Sequence, residues 1–247
     1  MNKINVLDHG FVKLMNLSGP VRRIYKEDID NEPNMPRTFD ADDIDPALTA
    51  RISFDNMDKE RTREADLKLV EYLIKNKHNS PMEMIEVWFE LKVPIFIARQ
   101  IHRHRTFVYN EVSGRYTTLP ADWYIPEVVG GKPTNGMKQG QEDKLEALAQ
   151  KIFKDNLNIH CKDSYNYYLT ALRDGVAPEH ARLFLHLNHY THFIMKGNLH
   201  NWMHFLSLRL DYHAQIEARQ YAQAIYDLLS KYLPDTMKLF DKYRRLS

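Results

Sequence analysis

The sequence predicts an α+β fold in which a small, mainly antiparallel sheet packs with long helices. Two segments in the first half of the chain are typical of strands, because apolar and polar residues alternate within them. The second half is dominated by long stretches whose apolar residues recur at helical spacing. A chain of 247 residues can bury a sizeable core, so we expect a single domain over residues 1–247.

The first predicted elements are a strand, an insertion and a helix. Residues 10–17 alternate apolar and polar side chains and run into Ser18-Gly19-Pro20, which is typical of a strand that ends in a turn. Residues 21–45 are rich in charge, proline and asparagine, which predicts an exposed insertion or mobile loop. Residues 58–77 have apolar positions at helical spacing and begin with an aspartate that can cap a helix.

The later elements are a second strand, a loop and several helices. Residues 84–93 are rich in β-branched and aromatic side chains and stop at Pro94, where a helix to about His104 begins. Proline, glycine and asparagine mark a loop over about residues 126–141. Helical patterns then predict three helices, over residues 142–173, 178–195 and 199–233.

Composition excludes several classes of protein. The formal net charge is +1, so there is no global attraction to nucleic acid or to an anionic membrane. A single cysteine, Cys161, excludes an intramolecular disulfide framework and fits a reducing compartment. No apolar run is long enough to span a bilayer. We therefore expect a cytoplasmic protein that has neither nucleic acid nor membrane as a partner.

The densest functional signal is the segment RQIHRHRTFVYNEVSGRY, residues 99–116. Arginine offers a rigid fork of donors that suits phosphate oxygens, and Ser113-Gly114 offers a hydroxyl and backbone amides in a tight turn. The segment therefore predicts a site for a phosphorylated ligand. The alternative is a solvated basic helix end. Uncharged polar residues interleave with the cations, and this favours the binding site.

Arg103-His104-Arg105, followed by seven residues and then Ser113, resembles the RHR-x7-S signature of flavin-dependent thymidylate synthases. Five further segments resemble that family in the same order and cover most of the chain: residues 51–54, 78–83, 181–182, 188–191 and 198–215.

The resemblance implies an enzyme that converts dUMP to dTMP. It would use FAD as cofactor, 5,10-methylenetetrahydrofolate as one-carbon donor and NADPH as reductant, and it would need no cysteine nucleophile. The flavin and folate carry the difficult chemistry, while the protein orients and polarises the substrate. The family also implies a homotetramer with active sites at subunit interfaces.

Site residues follow from the same resemblance. The FAD contacts it implies are Ser53, His78, Ser80, Arg103, His104, Arg105, Glu111, Asn198, His200 and His204. The dUMP contacts it implies are Gln100, Arg103, Glu111, Ser113, Gly114, Arg115, Arg182 and Arg209. The resemblance also implies that Arg209 is the catalytic residue, because an arginine beside the pyrimidine would stabilise negative charge that develops on the ring. His200 and His204 stand where several relatives have arginine and asparagine.

Other constellations give weaker signals. His200 and His204 have the spacing of a zinc helix but lack the glutamate of the H-E-x-x-H motif, so we expect no metal. His186, His189 and His192 would share one face of a helix and suggest polar packing or a subunit interface. Two rival functions remain, a nucleic-acid binder and a metal-dependent nucleotide hydrolase. Cys161 is interpreted as a packing residue.

Overall fold

The computed structural model describes residues 2–19, 41–55, 62–133 and 144–245, and these form an α+β fold as predicted. The strands are β1 (Lys3–Val6), β2 (Gly10–Ser18), β3 (Glu86–Pro94), β4 (Val108–Glu111) and β5 (Tyr190–Asn198). The helices are α1 (Asp45–Ala50), α2 (Arg63–Lys75), α3 (Ser80–Glu83), α4 (Ile95–Ile101), α5 (Ala147–Arg173), α6 (Pro178–Ala181), α7 (Leu199–Arg209), α8 (Ile216–Tyr232) and α9 (Pro234–Tyr243). Short 3-10 turns follow α1 and α6, at Arg51–Phe54 and Arg182–Phe184.

Within these ranges the strands form one five-stranded sheet in the order β1-β2-β3-β5-β4. Every neighbouring pair is antiparallel, which confirms the predicted sheet type. Strand β5 lies between β3 and β4, and Phe89 of β3 pairs with Met195 of β5. The second half of the chain therefore supplies an inner strand, and the expectation of a sheet built from the first half alone is incomplete.

The predicted helix over residues 178–195 is wrong. Only Pro178–Ala181 and the short 3-10 turn after it are helical, and β5 begins at Tyr190. The reason lies in the side chains of this strand, because Thr191 and Phe193 are buried while His192 between them is exposed. An apolar period of two residues with β-branched and aromatic side chains is typical of a strand.

The three histidines of this region consequently do not share a helix face. His186 and His189 precede the strand, whereas His192 lies within it and contacts the Glu90 carboxylate at 2.9 Å. His189 is buried, and its burial lowers the pKa of the imidazole. Their spacing of three residues would fit a helix, but none of the three lies in one.

The predicted helix over residues 199–233 is also divided, because α7 ends at Arg209 and α8 begins at Ile216. Between them the Asp211 side chain accepts a hydrogen bond from the backbone N–H of His213 at 2.8 Å. Such local bonds from aspartate compete with the helix and favour a turn. The break leaves Arg209 at the end of one helix and Gln215 immediately before the next.

The last residues of the predicted insertion are not exposed. Residues 20–40 lie outside the described ranges, but Ile44 is only 1% exposed and Asp43 is buried beside it. The Asp43 carboxylate accepts hydrogen bonds from the backbone N–H groups of Thr236 at 2.7 Å and Asp235 at 3.2 Å. Asp43 thereby caps the first turn of α9 and fixes this segment against the last helix.

Helix ends differ from the predictions in three places. The predicted cap Asp58 lies outside the described residues, and α2 instead begins after Thr62, whose hydroxyl accepts from the Ala65 N–H at 3.3 Å. Helix α4 ends at Ile101 rather than near His104. The predicted start of α5, residue 142, lies outside the described residues, and the described helix begins at Ala147.

The main core lies between the sheet and the helices of the C-terminal half. Trp202 of α7 packs edge-on against Phe89 of β3, with ring centroids 4.9 Å apart. Helix α8 packs on β1 and β2, and α9 packs on α2 and α8. No helix in the described ranges combines the length and apolarity that a membrane span requires.

Gly197 provides a test of this packing. A Cβ atom at this position would lie 2.4 Å from Cδ1 of Phe107, whose ring packs on Trp202. Replacing Gly197 with alanine lowers the conformational entropy of the unfolded chain, which stabilises the fold by about 0.4 to 1 kcal/mol. The overpacking against Phe107 costs about 1 to 3 kcal/mol. We expect a net loss of about 1 to 2 kcal/mol in urea unfolding. Adding Phe107→Leu should recover part of that loss, and fully additive effects would contradict the clash.

Candidate functional site

A surface pocket of about 660 Å³ lies where the end of α4 meets the end of α7. Three residues that the sequence assigned to the site, Gln100, Arg103 and Arg209, lie in its wall. The full lining is Phe96, Arg99, Gln100, His102, Arg103, Leu187 and Arg209. The fold therefore brings the first part of the arginine-rich segment, with Gln100 and Arg103, and the proposed catalytic arginine to one pocket.

The Arg209 guanidinium is held in place by two hydrogen bonds. Its Nε donates to Nε2 of His104 at 2.9 Å, and its Nη2 donates to the backbone oxygen of Gln100 at 3.0 Å. Burial lowers the pKa of this guanidinium, but arginine retains its charge in proteins. Two partners orient the planar group, and the remaining N–H donors are left for a ligand.

His104 is the neutral acceptor in this arrangement. The side chain is 8% exposed, and burial lowers its pKa to about 4, with further lowering from the charges of Arg209 and His204. Because Nε2 accepts a hydrogen bond from Arg209, the proton of the neutral ring is on Nδ1. The ring also packs against Phe205 at 4.8 Å between centroids, which fixes its position.

Several residues in or next to this pocket were not identified from the sequence. Gln215, just before α8, lies outside its lining but accepts a hydrogen bond from Nε2 of Gln100 at 2.5 Å and so orients that side chain. Phe96, His102 and Leu187 line the pocket without a role assigned from sequence. Gln215 could have been identified from its position, because it is the last residue of the segment 198–215, which resembles the family.

A second group of predicted residues lies at the turn after β4. The Ser113 carbonyl accepts from the N–H groups of Tyr116 at 3.0 Å and Thr117 at 3.2 Å, which closes the turn. A Cβ atom on Gly114 would be 3.4 Å from Cδ of Arg182, so the Arg182 side chain lies beside this glycine. The structure thus places Arg182 at the turn that carries Ser113 and Gly114.

Arg115 belongs to the same turn. Its backbone N–H donates to Oγ of Ser113 at 3.3 Å, and its side chain forms an exposed ion pair with Glu179 at 3.2 Å. Such an exposed pair is worth little, about 0 to 1 kcal/mol, so the guanidinium can leave Glu179 for a phosphate.

A third group links the middle and late segments. Asn198 caps α7, because its side chain accepts from the N–H of Asn201 at 2.9 Å. His200 and His204 follow on that helix, and the ring of His204 lies 6.5 Å from that of His104. Burial lowers the pKa of His200; the Glu83 carboxylate opposes this, and the charges of Arg244 and His204 add to the lowering.

Arg244, near the C-terminus, connects this third group to the segment of residues 78–83. Its Nη2 donates to Oδ1 of Asn79 at 2.7 Å, immediately before α3. His78 is exposed and its ring stacks on Tyr72 with centroids 5.7 Å apart, while Ser80 begins α3. These contacts place the segment of residues 78–83 near the first turn of α7.

Four assigned residues have fewer contacts. Ser53 lies exposed in the 3-10 turn after α1, and none of the described contacts joins it to the pocket. Arg103 and Arg105 are exposed, and within the described ranges neither forms an ion pair. Glu111 lies on β4, where its carboxylate accepts from the Thr191 hydroxyl.

Comparison with known proteins identifies the family. The family model described as "Thymidylate synthase complementing protein" matches residues 37–235. A flavin-dependent thymidylate synthase of Thermus thermophilus is 38% identical over 243 residues, covering 97% of this chain and 78% of the relative. That of Thermotoga neapolitana is 37% identical, covering 98% and 95%. The chain belongs to the flavin-dependent thymidylate synthase family.

The fold is also similar to that of a solved structure. The UMP/dUMP methylase PolB from Streptomyces cacaoi, bound with 5-Br dUMP, superimposes with a TM-score of 0.79 at 25% identity. The match covers 99% of this chain and 100% of PolB. As a flavin-dependent thymidylate synthase, the protein is a methyltransferase of nucleotide biosynthesis.

Two further features bear on the chemistry of this flavin-dependent thymidylate synthase, its possible metal ligands and the thiol of Cys161. In the part of the chain that the structure describes, no three histidine, cysteine or acidic side chains converge as a metal site. Cys161 is 2% exposed on α5, and its Sγ contacts the Asn188 side chain. Burial raises the pKa of this thiol, so the thiolate that a nucleophile requires is disfavoured.

His104 makes the stability of this flavin-dependent thymidylate synthase depend on pH in the acidic range. In the unfolded chain the imidazole takes a proton near its ordinary pKa of 6.5, whereas in the fold it does so only at about 4. Since the unfolded state binds more protons in that window, stability is lost as pH falls from 6.5 towards 4. We expect His104→Gln to lose less stability than wild type between pH 7 and pH 5 in urea unfolding. Parallel losses would contradict a neutral buried His104.

Proposed function

We propose that the protein converts dUMP to dTMP with FAD as cofactor, 5,10-methylenetetrahydrofolate as one-carbon donor and NADPH as reductant. The observation that carries this proposal is Arg209, a charged side chain held by His104 and the Gln100 carbonyl with donors left for a ligand. A preorganised cation is suited to a pyrimidine ring on which negative charge develops. Arg209 is the catalytic residue in this proposal.

The donors present fit FAD. Arg103 and Arg105 are exposed and have no ion pair within the described ranges, which suits them to a pyrophosphate. The buried Nε2 of His102 also has no hydrogen-bond partner there. When bound, the flavin supplies hydride transfer, while the protein binds and orients it. The proposed FAD contacts are Ser53, His78, Ser80, Arg103, His104, Arg105, Glu111, Asn198, His200 and His204.

The proposed dUMP site has two parts. Gln100 and Arg209 would contact the pyrimidine, with Arg103 and Glu111 beside them. The turn at Ser113, Gly114 and Arg115, with Arg182, would bind the phosphate, because backbone amides and arginine suit a dianion. His104 orients Arg209 through Nε2 and leaves its Nδ1–H for FAD.

A homotetramer with active sites at subunit interfaces would join these parts. Among the described contacts, none links the Arg209 pocket with the Ser113 turn. Large apolar side chains are exposed beside both, including Leu187 at the pocket and Tyr116 and Leu183 near the turn. Exposed apolar surface of this kind marks contact with another protein, here a second copy. A reducing compartment, the cytoplasm, suits the free thiol of Cys161.

Flavin binding is the first test of the proposal. Purified protein supplied with FAD should absorb near ~450 nm, because the bound isoalloxazine is the chromophore. With dUMP, the folate and NADPH it should form dTMP. A protein that remains colourless after FAD is added would refute the proposal.

Cys161→Ala tests the absence of a cysteine nucleophile. The thiol is buried against Asn188 and does not line the Arg209 pocket, so most dTMP formation should remain. The measurement is product formation in an NADPH-coupled assay with the FAD-loaded variant. Complete loss of turnover in a folded, flavin-loaded variant would restore a cysteine mechanism.

A further inference from the structure

A second pocket of about 730 Å³ adjoins the Arg209 pocket. Phe96 and Leu187 line both pockets, so the two share a wall. The hydrogen bond of 2.5 Å between Gln100 and Gln215 also lies at this boundary, because Gln100 faces the first pocket and Gln215 the second. A molecule in the second pocket is therefore a direct neighbour of a ligand in the first.

The second pocket contains a buried carboxylate whose bonding capacity is not satisfied. Glu217, in the first turn of α8, is 7% exposed and lines the pocket. Its Oε1 accepts from the Tyr124 hydroxyl at 3.3 Å, but Oε2 is buried without a hydrogen-bond partner among the described residues. An unsatisfied buried carboxylate oxygen is costly, because it has lost its hydration without gaining a hydrogen bond in return. A ligand N–H would remove this cost.

The remaining walls are largely aromatic and apolar. Phe96 and Tyr124 lie on one side with ring centroids 5.9 Å apart, and Phe153 of α5 contributes a further ring. Flat apolar walls favour a planar ring over a sugar or a phosphate. Lys132 also lines the pocket and offers a cation to an anionic group of the same ligand.

We propose that this second pocket binds a planar nitrogen heteroaromatic ring that donates an N–H group to Oε2 of Glu217 and carries an anionic tail. The inference rests on the proposed function, which provides two molecules of this chemistry. NADPH carries an adenine with an amino group and phosphates, and the folate carries a pterin with adjacent N–H donors and a glutamate tail. Both must reach the Arg209 pocket, which the second pocket adjoins.

Glu217→Gln tests the contact while preserving side-chain volume. The FAD-loaded protein is titrated by calorimetry with NADP⁺ and, separately, with tetrahydrofolate. We expect the variant to bind at least one of these at least ~10-fold more weakly, because a charge-assisted hydrogen bond is lost. Removing a negative charge alone would strengthen the binding of an anionic ligand. Weaker binding would therefore indicate the loss of the hydrogen bond to Glu217 and not a change in the electrostatic field of the pocket.

Two further variants sharpen the test. Glu127→Gln removes the same charge from an exposed residue next to Pro126 and Val128, which line the pocket. This variant should leave the affinities for NADP⁺ and tetrahydrofolate unchanged. Phe153→Ala removes an aromatic wall at a residue that is 46% exposed, so the fold should tolerate it, and it should weaken the same probe as Glu217→Gln. If Glu217→Gln fails to retain flavin, Phe153→Ala decides the question.

The outcomes separate the two sources of the ring. Weakening of NADP⁺ alone assigns the pocket to adenine, weakening of tetrahydrofolate alone assigns it to the pterin, and weakening of both assigns it to either ring. Unchanged affinities, or equal changes in Glu127→Gln, would overturn the proposal. Flavin content and dUMP affinity are measured on the same samples. A wild-type protein that binds neither FAD nor dUMP would instead contradict the proposed function.

Discussion

Arg209→Lys is expected to slow the methylation half-reaction about 100- to 1000-fold, because one preorganised donor to a developing anion is lost. Lysine keeps the charge but carries its donors on a single nitrogen, so we expect it not to reproduce the two bonds that Nε and Nη2 of Arg209 make to His104 and the Gln100 carbonyl while a third donor faces the ligand. Flavin reduction by NADPH requires no negative charge on uracil. We therefore expect the reductive half-reaction to remain near the wild-type rate.

Stopped-flow absorbance of the flavin can time both halves separately. Arg173→Lys is a matched control, since Arg173 is an exposed arginine in the last turn of α5. Arg209 is half-buried and hydrogen-bonded to neutral groups, which distinguishes it from a solvated helix position. Wild-type rates of flavin oxidation in Arg209→Lys would remove this residue from the catalytic mechanism.

Arg115→Ala should weaken dUMP binding about 10- to 150-fold, the loss of one charge-assisted bond to phosphate of about 1.5 to 3 kcal/mol. FAD should remain bound, because the turn at Ser113 is assigned to the nucleotide. Calorimetric titration with dUMP measures the affinity, and absorbance measures retained flavin.

The ion pair of Arg115 with Glu179 supplies the control for this experiment. Glu179→Gln removes the carboxylate that competes for the guanidinium, so this variant should bind dUMP at least as tightly as wild type. Unchanged dUMP affinity in Arg115→Ala together with lost flavin would show that the two ligands had been exchanged in the assignment.

Local patterns predicted the strands and helices that their own residues specify. The strand over residues 84–93 has β-branched and aromatic side chains, and β3 lies there. Strand β5 was missed because residues 178–195 were interpreted as one helix that ends before Gly197-Asn198. Pairing with β3 and β4 adds to its own side-chain pattern in fixing the strand, and those partners are distant in sequence.

The candidate site was predicted in composition but not in geometry. Arg103 and Gln100 belong to a segment whose chemistry signals phosphate binding, and the fold places both in the pocket. Arg209 reaches the Gln100 carbonyl across 109 residues, a contact that no local pattern encodes. Glu217 and Phe96 were missed because a single acid at a helix start and an apolar ring are common structural features.

The cap that Asp43 provides to α9 has a consequence for synthesis of the protein. The two bonded residues, Asp43 and Thr236, are separated by 193 positions. Asp43 is therefore synthesised early and Thr236 close to the end of translation. During most of synthesis the segment around Ile44 has no final docking site, because α9 does not yet exist. The bonds between Asp43 and α9 can therefore form only after nearly the whole chain has emerged. A nascent chain that stalls before α9 would leave this segment undocked and accessible to chaperones and proteases.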